Sequence, residues 1–382
     1  MSEQILILGG GFGGLTAAHA LRRGLGSEHK ITLVDKQPLF FMGLTKLWIL
    51  AGRREVGEKP GNRTRLTQKG IEFVEGEVTS IDPVGRLVQV GKQKIPFDYL
   101  IIAMGADYSI AATPGFSKYA KNLYTESGCA EIRDELRSIA AGSITILVCG
   151  LPFKCPPAPY EAAFLIDDLL RTRRVRERVT IRVVTPEPHP LTILGEKAGK
   201  LLTDLLSARE IEYQPSQKVK EIRSGVIVME SGKQFAQTLT LAVPVHVPPS
   251  AVRSSGLVDA SGWIPVNSKT LATSHKGVYA IGDCAGTRNS IGQLIPRAGT
   301  LAEAEGKVVA GNLIREVAGE KNIEEFEGKG TCFMEVGAGK AAPVRANFYA
   351  EPAAAWEFTP PSVEGLREKQ KFLDERMIAW FG

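Results

Sequence analysis

The sequence is poor in the residues that usually build metal centres and disulfide frameworks. Its 382 residues include only five histidines and five cysteines. No two histidines have the spacing of metal ligands. Five cysteines, an odd number in a chain of this length, argue against a secreted disulfide scaffold. The sequence therefore predicts neither a metal site nor a small extracellular domain held together by disulfides.

Long apolar segments and concentrated charge are also missing. No stretch approaches the roughly 20 apolar residues that span a bilayer, and the N-terminal segment lacks the charged and apolar regions of a secretory signal. The net charge of +5 comes without the clustered basic residues that are typical of nucleic-acid binding. We therefore expect a cytoplasmic protein without a nucleic-acid partner.

The N-terminus carries a glycine-rich turn of the kind that binds a dinucleotide. An apolar strand at residues 5–8 runs into Gly9, Gly11 and Gly14, followed by a predicted helix at residues 15–22. Glycines at this spacing allow a sharp bend, close approach of the backbone to a pyrophosphate, and tight contact between helix and strand. A second strand ends in Asp35, about 20 residues after Gly14, where ribose hydroxyls are bound. Phe12, Gly13 and Lys36 complete this predicted site.

Two later segments indicate which dinucleotide is bound. Residues 97–105 form a predicted buried strand that contains Ala103 and Gly105, and residues 277–283 form another that ends in Gly282 and Asp283. These resemble the FAD signatures of the flavoprotein reductases with two dinucleotide-binding domains. The resemblance implies that FAD is the cofactor and that Asp283 binds its ribityl chain. A helix at residues 296–313 follows, so Pro296 joins the predicted cofactor residues.

A second βαβ unit follows, but its glycine turn is altered. Strands are predicted at residues 143–148 and 179–184, with a helix at residues 160–171 between them. Here Gly150 is followed by Pro152 and Cys155, where the second and third glycines would stand. Proline has no N–H and places a ring where phosphate must approach. We therefore expect a degenerate NAD-like domain and an electron donor other than NAD(P)H.

The altered turn resembles a known redox segment. Residues 152–161 are similar to the redox-cysteine segment of the sulfide:quinone oxidoreductases and of the flavoprotein subunit of flavocytochrome c sulfide dehydrogenases. The resemblance extends over nearly the whole chain, and residues 154–161 are its most specific part. Its other parts are residues 9–14, 40–52, 103–105, 282–283 and 295–299.

This resemblance implies roles for two cysteines and their neighbours. Cys155 is the predicted redox thiol, and we expect Lys154 and the following helix N-terminus to lower its pKa. Cys332 is implied as its partner, and Glu161 would be a proton shuttle if it faces the pocket. For the cysteines the alternative is a buried packing role; for Glu161 it is an exposed helix surface. Cys149 and Cys284 are expected to be inert, whereas Cys129 opens a helix and could react.

The chain also departs from the resembled families. It lacks the third cysteine that quinone-linked members usually place near the flavin. The loop at residues 40–46 contains no cysteine, which excludes covalent attachment of a flavin through that loop. The Cys-x4-Cys and Cys-x2-Cys pairs of glutathione-reductase-like and thioredoxin-reductase-like enzymes are absent from the sequence.

The predicted reaction begins when sulfide or another small thiol attacks a disulfide or persulfide between Cys155 and Cys332. One cysteine thiolate then passes electrons to the flavin, which reduces a quinone or a cytochrome. An FAD-dependent NAD(P)H dehydrogenase, or a flavin electron-transfer protein without cysteine chemistry, stays open as the alternative.

The predicted architecture is α/β, with two Rossmann-like dinucleotide-binding folds and a small C-terminal region. We expect the FAD domain at residues 1–110 and 241–320, the degenerate NAD-like domain at 111–240, and the C-terminal region at 321–382. A helix near the end places Leu366, Phe372, Leu373, Met377 and Trp380 on one face. Such a helix could attach the protein to a membrane surface, dock on its own chain, or pair two subunits in a homodimer.

Overall fold

The computed structural model describes residues 2–382. Its α-helices are α1 (Phe12–Gly24), α2 (Lys46–Leu50), α3 (Phe116–Tyr119), α4 (Glu126–Ser138), α5 (Ala158–Thr172), α6 (Glu196–Ser207), α7 (Ser250–Arg253), α8 (Gly299–Val317) and α9 (Val363–Phe381).

The strands of the N-terminal part, in chain order, are β1 (Gln4–Leu8), β2 (Lys30–Asp35), β3 (Leu39–Phe40), β4 (Gly61–Asn62), β5 (Glu72–Glu75), β6 (Val78–Asp82), β7 (Leu87–Val90), β8 (Gln93–Pro96), β9 (Tyr99–Ile102) and β10 (Asp107–Ser109). The strands that follow are β11 (Lys121–Asn122), β12 (Gly142–Val148), β13 (Val179–Val184), β14 (Ile211–Gln214), β15 (Val219–Arg223), β16 (Val226–Met229), β17 (Gln234–Ala236), β18 (Leu239–Val243), β19 (Val245–Val247), β20 (Val278–Ala280), β21 (Lys329–Glu335), β22 (Ala341–Asn347) and β23 (Ala355–Phe358).

Two parallel sheets with matching strand order form the body of the protein. The first has the order β20-β9-β1-β2-β5, and the second has the order β11-β18-β12-β13-β14. The central strand is β1 in the first sheet and β12 in the second, with two strands on each side. The carboxyl end of β1 leads into α1, and that of β12 leads into α5. The inner strands β1, β9, β12 and β18 are runs of mostly buried aliphatic residues, as expected for sheets covered on both faces. The predicted pair of Rossmann-like folds is confirmed.

Each predicted strand and helix occurs in the structure, and most of their bounds differ by a few residues from the predicted ones. β13 has the predicted bounds, whereas β9 is shorter than the predicted strand at residues 97–105. α1 begins at Phe12, so the first helical turn reaches into the glycine motif. α8 begins at Gly299 because the residues just before it, including Ala298, are extended. This extended segment lies beside the loop that carries Cys155, where the Cys155 N–H donates to the Arg297 carbonyl oxygen at 2.7 Å.

The C-terminal part is an antiparallel sheet, β21-β22-β23, covered by α9. The Ser362 hydroxyl caps α9 by accepting a hydrogen bond from the Gly365 N–H at 3.0 Å. Near the other end of α9, the Trp380 ring lies 5.2 Å from the Phe12 ring and 5.5 Å from the Phe40 ring, centroid to centroid. The apolar face of this helix is therefore packed on its own chain, which is one of the three arrangements that its pattern allowed.

Candidate active site

The turn between β1 and α1 brings backbone segments closer together than any side chain would allow. Gly9 has a φ of +100°, and a Cβ atom there would lie 2.3 Å from the Ala103 carbonyl oxygen. A Cβ atom on Gly14 would lie 1.9 Å from the Gly9 carbonyl oxygen. Gly11 directly precedes α1 and faces open space. The unpaired N–H groups of the first helical turn can therefore meet an anion.

Asp35 is held at the end of β2, beside this turn. One carboxylate oxygen accepts a hydrogen bond from the Gly10 N–H at 2.7 Å, and the other accepts one from the Gln37 N–H at 3.0 Å. The buried guanidinium of Arg63 lies 3.7 Å from the carboxylate and donates to the Gly10 carbonyl oxygen at 2.7 Å. These bonds fix Asp35 where this fold places the ribose-binding carboxylate.

A cavity of about 400 Å³, here called the dinucleotide cavity, extends from the glycine turn to the two predicted redox cysteines. Most of the predicted cofactor residues line it: Gly9, Gly11, Phe12, Gly13, Asp35, Ala103, Gly105, Gly282 and Asp283. Three do not. Gly14 packs against the Gly9 carbonyl group, and Pro296 lines a neighbouring cavity. Lys36 is exposed, and its Nζ lies 3.9 Å from the Asp107 carboxylate.

The lining of the dinucleotide cavity fits a dinucleotide. A Cβ atom on Gly11 or Gly105 would project into open space, so these glycines leave a cradle that a ligand can fill. Gly282, with a φ of +70°, turns the chain so that Asp283 reaches the cavity. Its N–H donates to a carboxylate oxygen of Glu305 at 2.6 Å. Burial raises the pKa of Glu305 to about 8, and the two hydrogen bonds it accepts oppose that rise only in part.

We predict that Gly14→Ala abolishes cofactor retention. The added methyl group would lie 1.9 Å from the Gly9 carbonyl oxygen, so α1 must move away from the turn that it is expected to present to the pyrophosphate. We expect the occupancy of the predicted dinucleotide cofactor in the purified protein to fall by at least about tenfold. The flavin-to-protein absorbance ratio measures this. Circular dichroism separates loss of cofactor from loss of fold, and an occupancy equal to that of the wild type would contradict the assignment of the turn.

The far end of the dinucleotide cavity brings together two sulfurs from distant parts of the chain. Cys155 lies in the loop before α5 with a φ of +51°, and Cys332 lies in β21, paired with Val344 of β22. Both line the cavity and neither is in a disulfide. Burial raises the pKa of Cys332 to about 11 and raises the pKa of Cys155 as well.

The expected lowering of the Cys155 pKa is wrong. Burial dominates, and the neighbouring Cys332 and Glu161 raise the pKa further. The Lys369 ammonium and the Ala158 N–H at the start of α5 oppose this rise only in part. The Lys154 ammonium is directed over the Tyr108 ring, 4.9 Å from its centroid. The error arose because a local count of charges omits the free energy of removing a thiolate from water.

Glu161 faces the dinucleotide cavity instead of solvent, although base rates favoured an exposed helix surface. It is 4% exposed, and one carboxylate oxygen lies 2.6 Å from Lys369 Nζ. Lys369 is 1% exposed and also donates to Glu335 at 2.9 Å. Arg53 binds the other carboxylate oxygen of Glu335 at 2.6 Å. We call these four residues the buried charge cluster.

The pKa values of the two carboxyl groups in this cluster are shifted in opposite directions. Burial opposes ionisation of Glu335, but Lys369 and Arg53 outweigh it and lower the pKa of that carboxyl. Burial raises the pKa of Glu161, and Lys369 compensates only in part. Glu161 is therefore the carboxyl that takes up a proton most readily. Sequence analysis did not identify Lys369, although a lysine on the apolar face of the C-terminal helix was a visible signal.

The other three cysteines do not line the dinucleotide cavity. Cys129 is fully buried in α4 and donates its Sγ–H to the Leu123 carbonyl oxygen at 3.3 Å. Burial raises the pKa of Cys129, Cys149 and Cys284 to about 12 in each case. Cys129 does not line the dinucleotide cavity, and a reactive role for it stays a prediction.

The second Rossmann-like fold has a carboxylate in the position that corresponds to Asp35, but that carboxylate already accepts hydrogen bonds from the protein. Glu187 follows β13 and is buried; its carboxylate accepts hydrogen bonds from the Tyr160 hydroxyl at 2.8 Å and the Thr185 hydroxyl at 3.2 Å. A cavity of about 350 Å³, here called the apolar cavity, lies beside it. Pro152 and Pro188 are among its predominantly apolar lining residues, and it reaches Cys332 and Arg297. This lining lacks the open glycine turn of the first fold.

Two further observations concern the whole described chain. Across residues 2–382, none of the helices combines the length and apolar composition needed to cross a lipid bilayer. Within the same residues, no three His, Cys, Asp or Glu side chains converge as a group that could hold a metal ion.

Comparison with known proteins gives one family and one fold. Residues 3–306 match the family model described as pyridine nucleotide-disulphide oxidoreductase. The sulfide-quinone reductase of Aquifex aeolicus (strain VF5) is 26% identical over 83% of this chain and 77% of its own length. The type II NADH:quinone oxidoreductase of Staphylococcus aureus is 25% identical over 85% of each chain.

The solved structures place these similarities in three dimensions. The X-ray structure of the sulfide:quinone oxidoreductase from Aquifex aeolicus matches with a TM-score of 0.87 and 21% identity, covering 97% of this chain and 90% of that one. The two proteins have the same fold.

Proposed function

This chain belongs to the pyridine nucleotide-disulphide oxidoreductase family, and we propose that it oxidises sulfide, or a related small sulfur compound, and passes the electrons to a quinone. The enzyme is an oxidoreductase similar to the sulfide:quinone oxidoreductases. The observation that carries the proposal is that Cys155 and Cys332, far apart in sequence, line one cavity with the glycine turn and Asp283.

The proposed cofactor is FAD. The glycine turn and the start of α1 would hold its pyrophosphate, Asp35 its adenosine ribose, and Asp283 its ribityl chain. The cofactor would supply two-electron acceptance from a sulfur centre and re-oxidation by a second substrate. A flavin attached covalently through the loop at residues 40–46 is excluded, because that loop has no cysteine.

The sulfur steps are assigned to Cys155 and Cys332. Hydrosulfide attacks one sulfur of the oxidised pair, so that one S–S bond forms, the bond between the cysteines breaks, and a persulfide and a thiolate remain. Glu161 accepts the proton when the persulfide ionises, since it lies in the same cavity and its pKa is raised by burial. The Lys369 ammonium stays paired with Glu335 while Glu161 is protonated.

The acceptor is assigned to a groove between α8, β21 and α9. This groove shares Thr300, Thr331 and Phe333 with the dinucleotide cavity. The Phe333 and Phe372 rings lie 5.4 Å apart on its wall, and aromatic walls suit a planar quinone ring. Quinones appear in the names of relatives of both the sulfide and the NADH type. A cytochrome acceptor, membrane attachment through α9, a homodimer and a cytoplasmic location stay predictions.

The NADH dehydrogenases are the alternative relatives, and the second fold argues against their reaction here. Pro152 stands in the turn that would bind the nucleotide phosphates. The carboxylate of Glu187, which would bind a ribose, is already bonded to Tyr160 and Thr185. Neither feature favours a nicotinamide carrier.

Rapid mixing of the oxidised holoenzyme with sulfide and, separately, with NADH tests the proposed function. We expect sulfide to bleach the flavin absorbance near its visible maximum, and NADH to bleach it at least about a hundredfold more slowly. Addition of a soluble quinone analogue should restore the absorbance. Rapid bleaching by NADH without bleaching by sulfide would overturn the proposal in favour of an NADH dehydrogenase.

A further inference from the structure

Three cations line the dinucleotide cavity near Cys155 without a carboxylate partner. They are Lys46 at the start of α2, Lys154 next to Cys155, and Arg297 in the extended segment before α8. In residues 2–382, no carboxylate oxygen lies within 4.0 Å of a side-chain nitrogen of these three residues; the ion pairs involve other cations. The cavity wall therefore carries an excess of positive charge beside a redox sulfur.

The contacts of these cations are directed by the protein. Lys46 Nζ donates to the Tyr124 carbonyl oxygen at 3.0 Å, and the Tyr124 hydroxyl donates to the Lys154 carbonyl oxygen at 2.7 Å. Arg297 is 5% exposed, stacks on the Trp263 ring at 3.8 Å, and donates Nε–H to the Asp283 carbonyl oxygen at 2.9 Å. Its Nη2 has no hydrogen-bond partner within the described chain.

Elsewhere the chain neutralises its buried cations. Arg176 is paired with Asp167 at 2.5 Å, and Lys369 is paired with Glu161 and Glu335. A buried cation without a counter-charge is costly, and a buried N–H without an acceptor adds to that cost. An anion bound in the cavity would offset both costs at once.

We propose that Lys46, Lys154 and Arg297 form an anion subsite that holds hydrosulfide, HS⁻, against Cys155 before it attacks the cysteine pair. This inference rests on the proposed function. In the attack the sulfur lone pair of HS⁻ forms the new S–S bond, and the electron pair of the broken bond stays on the departing cysteine as a thiolate. The negative charge is thus conserved, and it passes to a cysteine that lines the same cavity as the three cations.

The location of the three cations supports hydrosulfide as the ligand of this subsite. The three cations line the same cavity as the glycine turn and Asp35, but they are carried by other segments of the chain. The apolar cavity also reaches Arg297 and Cys332, which gives a small sulfur species a second approach to the sulfur pair. Hydrosulfide is a small monoanion, so it suits a site whose unpaired charges are cationic.

Thiocyanate, a monoanion that does not reduce flavins, serves as the probe. Its binding to the oxidised holoenzyme is followed by the shift of the flavin absorbance, and its inhibition is measured against sulfide. We expect competitive inhibition in the wild type. Lys46→Met and Lys154→Met should each raise the thiocyanate dissociation constant and the KM for sulfide about tenfold, with kcat changed less than twofold. The control is Lys118→Met, which removes a surface lysine that also lies over a tyrosine ring.

Each outcome separates the subsite from its alternatives. Unchanged thiocyanate affinity in both lysine variants would overturn the subsite. So would a shifted flavin midpoint potential with unchanged thiocyanate affinity, because the cations would then serve the cofactor. If thiocyanate binding weakens as expected but the wild type never oxidises sulfide, the proposed function falls and the anion subsite stands.

The pH dependence gives a second readout of the same subsite. Burial and the neighbouring Lys154 lower the pKa of Lys46 to about 8, so Lys46 is charged below that pH and loses its charge above it. Thiocyanate affinity should therefore fall as the pH rises through about 8, and this step should be absent in Lys46→Met. The titratable groups that face Lys46 are Glu126, Cys129, Lys154, Cys155 and His246. Burial raises the pKa of Glu126, and it raises the pKa of Cys129 to about 12, so Cys129 keeps its proton through this range.

Discussion

Replacing Cys155 by serine will abolish reduction of the flavin by sulfide while FAD stays bound. Cys155 contributes one of two sulfurs at the far end of the dinucleotide cavity, and a serine oxygen cannot take part in thiol–disulfide exchange. We expect the rate of sulfide-driven bleaching to fall by at least about a thousandfold, as when a covalent nucleophile is removed from an enzyme. Stopped-flow absorbance measures the rate, and the resting spectrum reports the bound cofactor.

Cys129→Ser is the matched control. Cys129 is buried outside the cavity and donates a hydrogen bond to the Leu123 carbonyl oxygen, which a serine hydroxyl can also donate. This variant should keep sulfide-driven bleaching within about twofold of the wild type. Cys332→Ser should behave as Cys155→Ser does. Normal turnover in Cys155→Ser would show that the thiol is packing, and the proposed sulfur chemistry would fail.

Lys369→Met will destabilise the protein more than any other single change to the buried charge cluster. The substitution removes the cation that Glu161 and Glu335 share at 2.6 Å and 2.9 Å, and it leaves Glu161 without a counter-charge. Breaking a buried ion pair from one side costs about 3–5 kcal/mol. We expect the melting temperature of the holoprotein to fall by several degrees, as followed by circular dichroism.

Two further variants test the electrostatic cause. Lys371→Met changes a lysine of the same helix whose side chain is 77% exposed, so it should change the free energy of unfolding by less than about 0.5 kcal/mol. The triple variant Lys369→Met, Glu161→Gln, Glu335→Gln removes the uncompensated charges and should recover part of the lost stability. Equal melting temperatures for Lys369→Met and Lys371→Met would contradict this account.

The fold could be predicted from the sequence because its signals are local. Gly9, Gly11 and Gly14 follow one another at a characteristic spacing in one short segment, and Asp35 ends the next strand. The altered turn of the second fold was visible in the same way, through Pro152. Such signals need only short stretches of chain, so no knowledge of tertiary packing is required to find them.

The electrostatics of the site could not be predicted in this way. Glu161, Glu335 and Lys369 meet only when α5, β21 and α9 pack together, and sequence separation hides that contact. Glu187 was missed for the same reason, since its bond to Tyr160 joins β13 to α5. At Cys155 the neighbouring residues pointed to a lowered pKa, whereas the depth of the cavity, which no local pattern encodes, decides the direction.

The aromatic contact between Trp380 of α9 and Phe12 of the glycine turn has a thermodynamic consequence. Phe12 lines the dinucleotide cavity, so the last turn of α9 braces one wall of the cofactor site from outside. Detachment of the last turn of α9 and release of the nucleotide are then linked equilibria, so each one changes the free energy of the other by the same amount. A change that increases the affinity for the nucleotide therefore also stabilises the packed state of the last turn of α9. Unfolding of that turn lowers the affinity for the nucleotide.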